Sequence, residues 1–193
     1  MTLISSISGI RGTIGGSIGT SLTPIDIVRF TSAYSIYIKE HNDGNNKVVV
    51  GRDARISGEM VSNLVVGTLL GCGIDVIDVG LTTTPTVEVS VKLCNASGGI
   101  IITASHNPIE WNALKLLNSH GEFISEKDGN KILKLATSNK IEYNLINKLG
   151  SYIYDDSFNE KHLEMILDLS LVKSDVVRSA NLKVVVDAVN STG

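Results

Sequence analysis

The sequence predicts an α/β protein: a three-layer α/β/α architecture around a mostly parallel, mixed sheet. Three observations carry that expectation. The apolar periodicity alternates along the chain between two and about three and a half residues. Short Val- and Ile-rich runs, the pattern of strands buried on both faces, alternate with helical stripes. The connections between them are short, as right-handed crossovers between parallel strands require. With 42% hydrophobic and 19% charged residues among 193, the composition is globular, and the chain is long enough to bury a core without disulfides or structural metal.

The elements follow in order. Thr23 reads as an N-cap, with Pro24 at the first helical position and Asp26 placed to bond back. Ile27, Phe30, Tyr34 and Ile38 then recur at helical spacing until Asn42-Asp43-Gly44 closes the helix. Residues 47–51 (KVVVG) form a buried-type strand. Ser57 caps a second helix whose stripe is Met60, Val61, Leu64, Val65, Thr68 and Leu69, terminated by Gly71 and Gly73. Residues 74–79 are a second strand, and Thr84-Pro85 opens a helix carrying Val87, Val91 and Cys94 on one face. Residues 98–103 are a third strand, running directly into Ala104-Ser105-His106-Asn107-Pro108. Ser125 caps a helix to about Thr137, residues 139–147 read as loop or edge, and a helix runs from Asp156 or Ser157 to about Leu169. Residues 181–187 form a last strand that repeats the Lys-Val-Val-Val of residues 47–50. The expected organisation is a first domain over residues 1–150, then a connecting helix and the opening strand of a truncated second domain over 151–193. A buried-type strand with no helix after it cannot complete a βαβ unit.

Charge narrows the function classes. Seventeen basic against twenty acidic side chains leave a net charge of −3, so no global field draws the protein to nucleic acid or anionic lipid. Any anion site must be built locally. The N-terminus has neither a basic nor an apolar signal region, and apolar runs such as residues 99–102 are too short to cross a bilayer. Cys72 and Cys94 lack CxxC or metal spacing and read as buried thiols of a reduced, cytoplasmic protein, a disulfide or reactive thiol being the alternative.

The informative segment is residues 103–115, TASHNPIEWNALK. Pro108 biases Asn107 toward an extended conformation, so Ser105 and His106 fall on an exposed turn just past a buried strand. A hydroxyl there suits a nucleophile or phosphoryl carrier; an ordinary Ser/Asn-Pro turn with a solvated histidine is the alternative. Gly9-Ile10-Arg11-Gly12 sets an arginine between glycines, whose amides and guanidinium suit an anion cradle, or else form a glycine-rich turn with a solvated Arg. Gly51-Arg52-Asp53-Ala54-Arg55 ends a strand with two cations around one carboxylate, and an ion pair bracing the loop is the favoured role for Asp53. Active loops of such sheets lie at the carboxyl ends of strands, so this segment and the Ser105 turn are expected to meet. Arg11, Arg52, Arg55, His106 and Lys115 together form a local cationic cluster suited to a phosphate-bearing substrate.

GIRG, GRDARISG, Thr82-Thr83-Thr84-Pro85-Thr86 and TASHNP, in that order, resemble the first domain of the α-D-phosphohexomutases: the phosphoglucomutases, phosphomannomutases and phosphoglucosamine mutases. The likeness runs from about Gly9 to Lys115 and more loosely beyond, and the closing VVVDAVNSTG resembles the first strand of that family's second domain. The family's usual Phe-Gly-Thr before GIRG is here Ser5-Ser6-Ile7, and its Asn-Gly after the serine loop is Asn112-Ala113. The resemblance implies an intramolecular phosphotransferase that interconverts hexose 6-phosphate and hexose 1-phosphate through a phosphoserine at Ser105 and a hexose 1,6-bisphosphate intermediate. It implies that Arg11 and Lys115 lie by the transferring phosphate, with Lys115 moving a proton or stabilising charge and His106 supporting. Arg11, Gly12, Arg52, Asn107 and Lys115 are the implied phosphate-binding residues. It implies Mg²⁺ held by the phosphoserine and three aspartates, of which this chain offers Ser105 alone, since no Asp-Gly-Asp-Gly-Asp-Arg loop occurs in it. The expected reading is the N-terminal part of a phosphohexomutase, phosphoglucosamine mutase foremost, inactive by itself. Phosphomannomutase/phosphoglucomutase specificity and a non-catalytic sugar-phosphate-binding module are the alternatives. A serine hydrolase is disfavoured, because no G-x-S-x-G elbow is present. The expected partner is a small-molecule hexose phosphate, without nucleic acid or membrane.

Overall fold

The computed structural model describes residues 2–6, 9–41, 45–138 and 141–192. Its seven strands are β1 (Ile4–Ser6), β2 (Gly9–Thr13), β3 (Lys47–Arg52), β4 (Asp75–Leu81), β5 (Gly98–Ile102), β6 (Trp111–Leu117) and β7 (Tyr152–Tyr154). They form one sheet in the order β1-β2-β6-β5-β3-β4-β7. β5, β3, β4 and β7 pair in parallel, while β6 is antiparallel to both β5 and β2, and β1 is antiparallel to β2. Five strands therefore point one way and β1 and β6 the other, the mixed, mostly parallel sheet expected.

The described residues form six helices, α1 (Pro24–Glu40), α2 (Gly58–Gly71), α3 (Thr84–Leu93), α4 (Glu126–Ala136), α5 (Phe158–Leu167) and α6 (Ser174–Ser179), of which the first five pack on the sheet and α6 buries no residue. Strand alternation sorts the core into two layers. Val48, Val50, Ile100, Ile102, Leu114 and Leu116 pack against α1, α2 and α4, whereas Val49, Ile101 and Leu117 pack with Val87, Val91 and Phe158 of α3 and α5. The period of two in the strands thus feeds both faces.

The α1 start is the predicted capping box. Thr23 Oγ1 accepts from Asp26 N, and the Asp26 side chain accepts from the Thr23 backbone. The predicted end of that helix at Asn42-Asp43-Gly44 lies outside the described residues. Thr83 caps α3 and Ser125 caps α4 through their side chains. Ser57 does not cap α2: its backbone is already helical, and its Oγ instead accepts from Asn112 Nδ2 at 2.9 Å, tying the helix to β6. Tyr34, fully buried on α1, donates its hydroxyl to the Leu117 carbonyl at 2.6 Å and the Gly99 carbonyl at 3.2 Å. Burial raises its pKa well above the usual phenol value, so it stays a neutral clamp across β5 and β6.

Three segments differ from the expectation. GIRG is not a turn but part of β2, inside the sheet between β1 and β6, so its backbone serves the ladder. β7 pairs with β4 and Phe158 enters the core, so packing of the first sheet continues past the expected boundary at residue 150. Residues 182–188 form no strand. Val184, Val185 and Val186 are 72%, 89% and 80% exposed and have no sheet partner, and a strand without a neighbour has no ladder to stabilise it. Cys72 is buried and Cys94 half-buried, both as free thiols, and burial pushes the Cys94 thiol pKa up. Among the described residues no helix is long and apolar enough to cross a membrane.

Candidate functional site

Ser105 stands three residues past the carboxyl end of β5, exposed, with a left-handed backbone at φ 53°. That region disfavours a residue with a side chain, so the turn must be held by its surroundings. The holding is explicit. The Ser105 N–H donates to Thr103 Oγ1 at 3.0 Å, and Thr103 Oγ1 donates to Asp53 Oδ2 at 2.5 Å. Arg55 Nε lies 3.3 Å from the same Asp53 oxygen, and Arg55 Nη2 donates back to the Ser105 carbonyl at 2.8 Å. The rest of the guanidinium donates to the carbonyls of Asn107 at 2.7 Å, Pro108 at 2.8 Å and Trp111 at 3.0 Å. Asp53 is therefore the brace expected. Arg55, counted among the anion-facing cations from sequence, is instead consumed by carbonyls and one carboxylate.

Beside Ser105 is a cavity of about 160 Å³ lined by Gly9, Arg11, Thr103, Ala104, Ser105, His106, Asn107, Ala113 and Lys115. The sheet register explains the gathering. Arg11 of β2 lies opposite Ala113 of β6, and Lys115 is two residues further along β6, opposite Ile101. All three side chains therefore share the α3 face of the sheet. Arg11 makes no ion pair among the described residues, and its Nε is buried with no hydrogen-bond partner. Lys115 likewise has no carboxylate within 4.0 Å; its Nζ stands 5.8 Å from the Phe123 ring centre. Glu88 is close enough to feel Lys115, yet burial dominates and raises its carboxyl pKa. Two cations without ion-pair partners among the described residues thus converge on an exposed hydroxyl, an arrangement that favours a dianionic group.

The sequence-predicted residues divide accordingly. Ser105, Arg11, Lys115, His106 and Asn107 share one cavity. Asn107 also gives its carbonyl to Arg55, so it helps hold the turn. Gly12 is buried in β2, where a Cβ would come 2.9 Å from the Leu22 amide nitrogen; its glycine is explained by close chain packing, and it does not line the cavity. Arg52 is not with the others. It lines a separate cleft of about 650 Å³ with Asp78, Tyr152, Tyr154 and Glu160, because strand alternation puts it on the face of β3 that carries Val48 and Val50, opposite the face shared by Arg11 and Lys115. Sequence reasoning gave no role to Thr103, although its place within TASHNP marked it. Among the described residues no group of three or more His, Cys, Asp or Glu could hold a metal ion, so the Mg²⁺ implied by the resemblance does not fit these residues alone.

The fold is of the open α/β class, with an exposed serine just past the carboxyl end of β5 and two cations of β2 and β6 lining the cavity beside it. The chain belongs to the phosphoglucomutase/phosphomannomutase family, whose α/β/α domain I matches residues 4–142. It is 33% identical over 184 residues to a Thermococcus kodakarensis protein named phosphoglucomutase/phosphomannomutase, covering 94% of this chain and 40% of that one. It is 32% identical over 181 residues to the phosphoglucosamine/phosphogalactosamine mutase of Sulfurisphaera tokodaii, covering 93% and 38%. The crystal structure of a phosphoglucomutase/phosphomannomutase family protein from Burkholderia thailandensis superposes with a TM-score of 0.68 at 25% identity, covering 90% of this chain and 38% of that one. The chain thus spans 40% or less of the length of these three relatives.

Proposed function

We propose that this chain is the phosphoserine-bearing N-terminal part of a hexose-phosphate mutase, with Ser105 as the phosphoryl carrier. The observation that carries the reading is the convergence of Arg11 and Lys115, neither ion-paired among the described residues, on the exposed Ser105 turn. In the proposed cycle a sugar hydroxyl attacks the phosphorus on Ser105, the P–O bond to the serine breaks, and the hydroxyl proton is passed to the departing serine oxygen. The bisphosphate then turns over and the reverse transfer from its other phosphate restores phosphoserine. Phosphoryl transfer is served by positioning and charge neutralisation, which Arg11 and Lys115 supply from two neighbouring strands. Lys115 is the proton-moving candidate and His106, an exposed residue of the cavity lining, a supporting one.

The substrate we favour is a hexosamine phosphate, supported by relatives named phosphoglucosamine mutase; phosphomannomutase/phosphoglucomutase specificity is supported equally by the Thermococcus kodakarensis relative. Mg²⁺ is expected to be completed by groups outside these described residues, Ser105 contributing through its phosphate, and residues 1–193 alone are expected to fold without turning over hexose phosphate. The free cysteines accord with a reducing, cytoplasmic setting. The test is Ser105→Ala in the full-length protein. Complete loss of isomerisation between hexose 1- and 6-phosphates with unchanged melting supports the reading. Retention of a tenth or more of the activity reduces Ser105 to an ordinary turn residue.

A further inference from the structure

We infer that Thr103 and Arg55 are positioning residues, which lock the Ser105 turn through a closed ring of three hydrogen bonds and one ion pair. This deepens the proposed function and rests on it. The ring runs from the Ser105 N–H to Thr103 Oγ1, from Thr103 Oγ1 to Asp53 Oδ2, from Asp53 Oδ2 to Arg55 Nε, and from Arg55 Nη2 back to the Ser105 carbonyl. Both polar groups of the one residue with strained backbone in the turn are thereby fixed by a single acid–base pair. The pair is largely screened from water, its side chains being 12% and 15% exposed. It is anchored at both ends. Asp53 N donates to the Ile102 carbonyl at the end of β5, and Arg55 N donates to Asp53 Oδ1 at 3.0 Å.

Arg55 is suited to the task as lysine is not. A planar fork reaches four carbonyls spread over residues 105–111 while its third nitrogen meets the carboxylate; a single ammonium cannot. With its charge absorbed in this way, Arg55 leaves Arg11 and Lys115 as the cations that face the cavity. The ring therefore separates two jobs, one arginine holding the serine and another meeting the anion. The geometry also states what freedom is removed. If the Ser105 peptide rotates out of its left-handed well, the N–H leaves Thr103 and the carbonyl leaves Arg55 together.

The test compares variants of the full-length protein that separate the hydroxyl from the shape. Thr103→Val keeps the volume and deletes the link to Asp53; Thr103→Ser keeps the link and deletes a methyl. Arg55→Lys keeps the charge and deletes the fork. Three quantities are read: hydrogen exchange of the Ser105 amide, and kcat and KM for hexose-phosphate isomerisation. Thr103→Val and Arg55→Lys are expected to speed Ser105 exchange and to lower kcat on the order of 10- to 100-fold with KM near that of the parent, the cost of a reacting group displaced by about 1 Å. Thr103→Ser is expected to stay close to the parent in both. If Val retains kcat and slow exchange, or Ser loses as much as Val, Thr103 only fills space and the inference falls. Should Arg55→Lys fail to fold, the Thr103 pair decides alone. A parent protein with no mutase turnover would sink the proposed function, and Ser105 exchange would still decide the positioning role.

Discussion

Arg11→Met separates a functional cation from a structural one, because the structure gives the two roles opposite signs in stability. Arg11 Nε is buried without a partner, and the side chain makes no ion pair among the described residues. A buried polar group left unpaired costs about 1–3 kcal/mol. Methionine keeps an unbranched stem of similar reach and removes the orphaned donor, so folding should gain part of that amount. For a domain of this size each kcal/mol moves the melting temperature by about 2–4 °C. The expected result is a Tm between unchanged and several degrees higher. Catalysis should move the other way. Removing one group aimed at a transferring phosphoryl costs on the order of 10²–10³ in rate. The assay pairs thermal melting by circular dichroism with kcat on hexose 1-phosphate, both on the full-length protein. Melting in added inorganic phosphate supplies a third reading, because the parent should be stabilised by the anion and the variant much less. A variant that melts 5 °C or more below the parent while keeping its rate would make Arg11 scaffold and refute the assignment.

Lys115→Met should behave similarly, losing rate on the order of 10²-fold while melting within a few degrees of the parent, since the half-buried lysine makes no ion pair among the described residues. Gly98→Ala should be strongly destabilising, by about 1–3 kcal/mol or more, because the added Cβ would come 2.2 Å from the Tyr34 hydroxyl. Adding Tyr34→Phe removes that clash, so the double variant should melt higher than the sum of the singles predicts, and strict additivity would contradict the clash. Asp75 accepts from Ser151 N and Ser151 Oγ, both at 2.7 Å, and these donors hold its pKa below the usual carboxylate value of 3.8. Its contribution to docking β7 is therefore present above that value and lost as pH falls through the lowered one. Asp75→Asn should lower Tm slightly at neutral pH, and the difference from the parent should vanish in strong acid; a difference that persists there would exclude the carboxylate as its source.

What the sequence made legible and what it hid follow physical lines. The capping box at Thr23 and Asp26 is a local pattern, and it formed as read. The Val- and Ile-rich β3 and β5 were legible because both their faces are buried. The Ser105 turn was legible because Pro108 and the preceding strand restrict it locally. Ser57 was misread because capping competes with tertiary bonding, and Asn112 from β6 claimed its hydroxyl. β2 was hidden by its glycines, which look like a turn, while the sheet needs them. A Cβ at Gly9 would sit 2.1 Å from the Leu114 carbonyl oxygen. β7 is three residues long at a sheet edge, too short for a period to show. Arg52 and Arg55 are three apart in sequence and looked like one cluster. Strand alternation at Arg52 and four backbone carbonyls around Arg55 sent them to different tasks.

The central claim is that Ser105 carries the phosphoryl group, and peptide mapping by mass spectrometry tests it without relying on turnover. The full-length protein, incubated with a hexose 1,6-bisphosphate and digested, should show one added phosphoryl group on the peptide containing residues 103–115, localised to Ser105 and absent from Ser105→Ala. An unmodified peptide, or a phosphoryl group on Thr103 or another hydroxyl instead, would contradict the account.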